Sequence, residues 1–133
     1  MGRRPDLILI NPGNRAAVYG QVGDQHGIAP PLGIAMIAAV ARSRGHAPMI
    51  IDAQAEGLSP DEVARRVAGQ RPLLAGVSAC TPQMTAAGEI LAALRREAPG
   101  VRTIIGGHHA SALPRQTLEQ TAADFVCAGE GFH

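Results

Sequence analysis

The sequence predicts an α/β domain, a parallel β-sheet with helices on both faces, and three observations carry that reading. Short runs of aliphatic and β-branched residues recur five times, each closed by turn-forming residues such as Gly, Pro, Asn or Asp. The longer segments between them carry helical spacing or helix-start signals. No repeat, linker or low-complexity tract divides the chain. Strand and helix alternating in this way mean parallel strands joined by crossover helices.

Leu7-Ile8-Leu9-Ile10 is the first buried strand, closed by Asn11-Pro12-Gly13. A long Gly-rich connection, Asn11 to Pro31, follows and holds Asp24 and His26; such length without periodicity usually marks function or disorder. Leu32 to Arg44 reads as a helix with Arg42 and Arg44 in its last turn and Gly45 as its stop. It is apolar nearly all round, which predicts cover on more than one side. Pro48-Met49-Ile50-Ile51 is the second strand, ending in Asp52. Ser59-Pro60-Asp61-Glu62 is a capping box with Pro at the first helical position, opening a helix that turns Val63 and Val67 inward. Leu73 to Ser78 is the third strand, broken by Cys80-Thr81-Pro82. The next helix sets Ala87, Ile90, Leu91 and Leu94 on one stripe. Arg102 to Ile105 is the fourth strand, and it climbs into Gly106-Gly107 and a polar loop with His108 and His109. A short helix from Pro114 to about Thr121 leads to the fifth strand, Asp124 to Ala128, and to Gly129-Glu130-Gly131.

Composition narrows the function. The 133 residues suffice for one domain with a sizeable core, so residues 1–133 are read as a single unit. Hydrophobic residues make up 46% of the chain and aromatics 2%, so the core must be aliphatic. Net charge is +1 with no basic tract, which argues against nucleic-acid binding. All 12 basic residues are Arg, which excludes a lysine Schiff base or a P-loop lysine within this chain. Cys80 and Cys127 are too few for a disulfide scaffold and suit a reducing cytoplasm; no membrane association is expected, since the densest apolar run is too short to span a bilayer.

Five alternating strands most simply take the flavodoxin-like order 2-1-3-4-5, doubly wound, with ligands at the carboxyl edge. Asn11, Asp52, Ser78 with Thr81, Gly106-Gly107 and Gly129-Glu130 all fall just after a strand. A phosphate-accepting receiver needs acidic residues where Asn11 and Ser78 stand. A flavodoxin needs a hydroxyl-rich phosphate loop where Asn11-Pro12-Gly13-Asn14-Arg15 stands, and the dinucleotide G-x-G-x-x-G is not present.

What remains is a hydroxyl residue after strand three and Gly-Gly after strand four, with Thr81 to Ile105 between Cys80 and Gly106. With Pro30-Pro31-Leu32-Gly33-Ile34-Ala35, Gly45-His46 and Gly129-Glu130-Gly131, this resembles the cobalamin-binding domain of cobalamin-dependent radical SAM enzymes, over Leu7 to Gly131. The resemblance implies that Ser78 and Thr81 border a slot for the nucleotide tail and that the flat base packs on Gly106 and Gly107. It further implies that Pro31, Leu32 and Gly33 lie beneath the corrin. His109 matches the family's Gly-Gly-x-His loop, with His108 beside it, and Gly129-Glu130 matches the turn leading towards a catalytic barrel. A side chain at Gly107 is then expected to fill the slot while leaving the fold intact. The implied cofactor is cobalamin with its tail base detached from cobalt, and the implied partner is a radical SAM catalytic domain, in cis or in trans.

The family's catalytic step needs three cysteines to hold an iron–sulfur cluster beside S-adenosylmethionine, and Cys80 and Cys127 cannot supply them. The chain is therefore expected to be non-catalytic alone and to be the N-terminal part of a larger enzyme, or a shortened carrier. Asp24-Gln25-His26 is similar to the D-x-H-x-x-G motif of carriers whose histidine ligates cobalt, but Ala29 stands where the glycine should, so His26 is expected not to bind the metal. The alternative class is a flavodoxin-like small-effector or protein-interaction module without cobalamin.

Overall fold

The structure, a computed structural model, describes residues 3–13 and 31–129. Its strands are β1 (Leu7–Asn11), β2 (Pro48–Asp52), β3 (Leu74–Ser78), β4 (Arg102–Gly106) and β5 (Phe125–Val126). All pair in parallel, in the order β2-β1-β3-β4-β5. The helices are α1 (Leu32–Ser43), α2 (Ala53–Glu56), α3 (Pro60–Gln70), α4 (Met84–Glu97), α5 (His108–Ala112) and α6 (Pro114–Gln120), with a 3-10 turn at Thr81–Gln83 before α4.

Side chains alternate between faces along each strand, and the two faces are packed unequally. Ile8, Ile10, Ile51, Ala75, Val77 and Ile105 project to one face, where Val63 and Val67 of α3 and Ala87, Ile90, Leu91 and Leu94 of α4 close over them. Every one of these side chains is buried, at about 1.5–3 kcal/mol for each large aliphatic group. The Ser59 hydroxyl accepts from the Glu62 amide at 3.1 Å, so α3 starts where the capping box placed it. On the opposite face α1 meets Leu7 and Leu9 through Ile34, Ile37 and Ala38. A right-handed crossover from β1 to β2 puts α1 on this face. The chain then reverses direction to reach β3, which puts α3 on the other.

Four local expectations are corrected. Among the described residues the helix α1 is covered on one side only: Leu32 is 69% and Met36 55% exposed, and a single Ile34–Ala38 stripe faces the sheet. The strand β3 begins at Leu74, with Leu73 exposed beside it. The loop with the two histidines is not irregular, since α5 starts immediately after Gly107. The strand β5 is only two residues long, although Asp124 before it also meets β4, its amide donating to the Thr103 carbonyl at 3.1 Å and its carboxylate accepting from the Thr103 amide at 2.9 Å. A helical turn not expected from sequence, α2, follows β2; the Asp52 carboxylate caps it by accepting from the Ala55 amide at 3.0 Å. No helix of the described residues is long and apolar enough to cross a membrane.

Candidate functional site

Because β1 lies between β2 and β3, the helices that follow β1 and β3, α1 and α4, lie on opposite faces of the sheet. The crevice between the carboxyl ends of β1 and β3 is where an open α/β sheet takes its ligand. A groove of about 640 Å³ runs from that edge down the α1 face of the sheet. Its floor is Leu9, Gly76 and Ile104, one wall is α1 from Gly33 to Arg44, and the other is Gly107, His108, Ser111 and Cys127. From Ser78 at the carboxyl edge to Leu74 at the amino edge the strand advances four residues, about 13 Å. The groove is thus long, narrow and mostly hydrocarbon.

Gly76 makes it. In the paired register, Leu9 and Ile104 flank Gly76 on the same face. A Cβ at position 76 would lie 3.2 Å from Leu9 Cδ2 and 3.3 Å from Ile104 Cγ2. The absent side chain leaves a notch between two aliphatic ones. Sequence reading passed over this glycine as one residue of a buried run, although a glycine inside a strand is a signal of close approach by a ligand or backbone.

The two glycines after β4 have different jobs. Gly106 faces the groove, and a Cβ there would meet Cys127 Cβ at 3.5 Å, an ordinary contact. Gly107 has φ +101°, and a Cβ there would lie 2.6 Å from the Ala79 carbonyl oxygen and 2.7 Å from the Ala79 nitrogen. Here the close approach is between two stretches of this chain's own backbone. Substituting Gly107 strains the fold itself, which corrects the expectation that a side chain there acts on the slot alone.

Of the residues singled out in sequence, Gly33, Ser78, Gly106, Gly107, His108 and Gly129 come together along the groove. Ser78 stands opposite Gly106 in the register, half-buried, and among the described residues its hydroxyl has no hydrogen-bond partner. Thr81 and His109 do not line the groove; they face each other, with Thr81 Oγ1 3.0 Å from His109 Nδ1. The adjacent histidines therefore diverge, His108 to the groove and His109 to Thr81. Pro31 and Leu32 stand at the start of α1 outside the groove, and Leu32 is open to solvent. Glu130 and His26 lie outside the described residues. Cys80 and Cys127 are free thiols at the ends of strands separated by β4.

Polar contacts fix the loops around this edge. The Asn11 amide donates to Asp52 at 2.9 Å, tying the ends of β1 and β2. The nearly buried Gln83 accepts from the Cys80 amide at 3.1 Å and donates at 3.4 Å to the Pro12 carbonyl, joining the β1 and β3 loops. The Ser111 hydroxyl accepts from the Gly129 amide at 3.0 Å. At the amino edge, Asp6 accepts from the Ala47 amide at 2.9 Å and sits 3.2 Å from His46 Nδ1. The Ala47 amide, aided by His46 and Arg3, holds the Asp6 carboxyl below its ordinary range.

Comparison with known proteins points the same way. The family model for the B12 binding domain matches residues 22–133. The chain is 29% identical over 126 residues to an uncharacterized methyltransferase of Pyrococcus horikoshii, covering 94% of this chain and 27% of that protein. It is also 29% identical over 104 residues to the anaerobic magnesium-protoporphyrin IX monomethyl ester cyclase of Rubrivivax gelatinosus, covering 77% and 19% respectively. The radical S-adenosylmethionine methyltransferase TsrM of Kitasatospora setae, solved with cobalamin and a 4Fe–4S cluster bound, matches with a TM-score of 0.68 at 18% identity. That match covers 86% of this chain and 22% of TsrM, and at such identity it shows the fold.

Proposed function

We propose that this chain, which belongs to the family of B12 binding domains, holds cobalamin for a radical SAM catalytic domain in the same polypeptide or in a partner. The corrin would rest across the carboxyl edge of the sheet, and the nucleotide tail would lie extended in the groove with its base off the metal. The observation that carries this reading is the Gly76 notch. It is a cradle on the groove floor that a single Cβ would fill, placed at the switch point of the sheet.

The donor set fits such a ligand. A flat, largely apolar tail needs a hydrocarbon slot, which Leu9, Ile37 and Ile104 supply, and a few polar groups to orient it, which Ser78 and His108 supply. The Ser78 hydroxyl, without a partner among the described residues, is a group such a ligand would satisfy. When bound, cobalamin supplies a cobalt centre able to carry a methyl group or to assist a radical step, while the protein positions it. The chain's own work is to bind the tail, to keep the base away from cobalt and to present one corrin face outward. Two cysteines cannot ligate an iron–sulfur cluster in the three-cysteine manner, so the cluster and S-adenosylmethionine would be held elsewhere. Because the chain spans 27% and 19% of the curated relatives it matches, the reaction belongs to the whole enzyme. Methyl transfer and ring closure are the two classes those relatives' names suggest.

Mixing the purified chain with hydroxocobalamin and removing free ligand tests this. The expected result is near-stoichiometric retained corrin with the visible spectrum of a detached tail base. Folded protein that emerges colourless would overturn the reading.

A further inference from the structure

Two polar side chains of the groove wall have hydrogen-bonding capacity left over, and one helical turn sets them side by side. His108 and Ser111 both line the groove. They stand three residues apart in α5, where the Ser111 amide donates to the Gly107 carbonyl at 3.0 Å, so their side chains leave the helix from neighbouring positions. Ser111 is held at the carboxyl edge: its Oγ accepts from the amide of Gly129, just past β5, at 3.0 Å. Among the described residues the proton of that hydroxyl has no acceptor. His108 is open to solvent, and among the described residues its ring has no hydrogen-bond or ion-pair partner. Its neighbour His109 is committed to Thr81. The other basic residues of the lining, Arg44 and His46, stand at the inner end of the groove beside Leu7 and Leu74, where the strands begin. His108 is thus the basic group of the described lining at the carboxyl edge.

The nucleotide tail of cobalamin is not uniformly apolar. An aminopropanol arm leaves the corrin and carries a phosphodiester, then the ribose, then the flat base. The phosphodiester keeps a negative charge across the neutral range, and an anion entering a hydrocarbon-lined groove needs donors. With the corrin across the carboxyl edge and the base on Gly106 and Gly107, the phosphodiester must cross the span between them. On that wall the residues following Gly107 are those of α5. Resting on the cobalamin-family reading above, we propose that His108 and Ser111 bind the phosphodiester of the tail. The imidazole N–H and the hydroxyl each donate to one of its free oxygens, and Ser78, opposite Gly106, is left to the base. Because His108 is exposed, the two bonds together strengthen binding only by roughly five- to thirtyfold.

The test separates the phosphate from the base. Cobinamide ends at the aminopropanol arm, cobinamide phosphate adds the phosphate alone, and hydroxocobalamin carries the whole tail. Dissociation constants on the 133-residue chain come from equilibrium ultrafiltration. Cobinamide phosphate should bind roughly five- to thirtyfold tighter than cobinamide. A His108→Phe/Ser111→Ala double variant keeps a ring at position 108 and removes both donors. In it that gain should vanish and hydroxocobalamin should weaken by a similar factor, while cobinamide binding stays at the wild-type level, which also reports an intact fold. His108→Arg alone should keep the gain. Equal affinity of the wild type for cobinamide and its phosphate, a gain that survives the double variant, or an equal loss for all three corrinoids in a variant with the wild-type circular dichroism would each overturn this inference and leave cobalamin binding standing. A folded wild-type chain that retains none of the three would overturn the parent reading, and this one with it.

Discussion

The two faces of the sheet are built by the same strands, one residue out of phase, and they come to opposite ends. On the α3–α4 face, Ile8, Ile10, Val77 and Ile105 are sealed beneath two helices. On the α1 face the middle row reads Ile50, Leu9, Gly76, Ile104 and Phe125. Its outer members are open, Ile50 at 38% and Phe125 at 51% exposure, and its centre has no side chain. Packing on the first face is complete, and its task is stability. The second face stays partly open along its length, and its task is to be filled by something else. A difference of one position along β3, Gly76 against Val77, separates core from site.

That contrast can be broken most sharply at Gly107, which borders the groove yet belongs to the fold. Gly107→Val should destabilise the chain by roughly 2–6 kcal/mol, from the disfavoured φ and the collision with the Ala79 backbone. Chemical denaturation followed by circular dichroism measures this; a variant as stable as wild type that merely loses ligand would return Gly107 to the slot. Next in size, Leu91→Ala on the sealed face should cost about 2–5 kcal/mol through the cavity it leaves. Corrinoid affinity of its folded fraction should stay unchanged, and a parallel loss of affinity would mean the two faces are not independent. The smallest change in stability is expected for Gly76→Ala. Leu9 Cδ2 and Ile104 Cγ2 can each give by a few tenths of an ångström, and Ala is the better strand residue, so stability should stay within about 1 kcal/mol of wild type. Corrinoid affinity should nonetheless fall at least about tenfold, because the notch is filled. Unchanged affinity would move the tail away from the sheet floor.

Much of this architecture was legible in the sequence because it depends on short-range patterns. Five apolar runs, the Ser59-Pro60-Asp61-Glu62 start and the Ile90-Leu91-Leu94 stripe each encode an element within a dozen residues, and handedness then leaves few ways to join them. Ser78 and the Gly106-Gly107 pair were found for the same reason: each marks a strand end, and strand ends in a parallel sheet meet at one edge.

By itself, then, the sequence determined the strand order, the ligand-bearing edge and the family resemblance. Only the tertiary structure decided which glycine does what. Gly107 is forced by the Ala79 backbone, which lies on a different strand connection, and Gly76 matters because Leu9 and Ile104 flank it from strands far away in the chain. The same holds for Thr81 turning to His109, and for Arg44 and His46 arriving at the inner end of the groove beside Leu74. Periodicity is set by neighbours along the chain. Close approach is set by neighbours across it, and no local pattern records the distance between them.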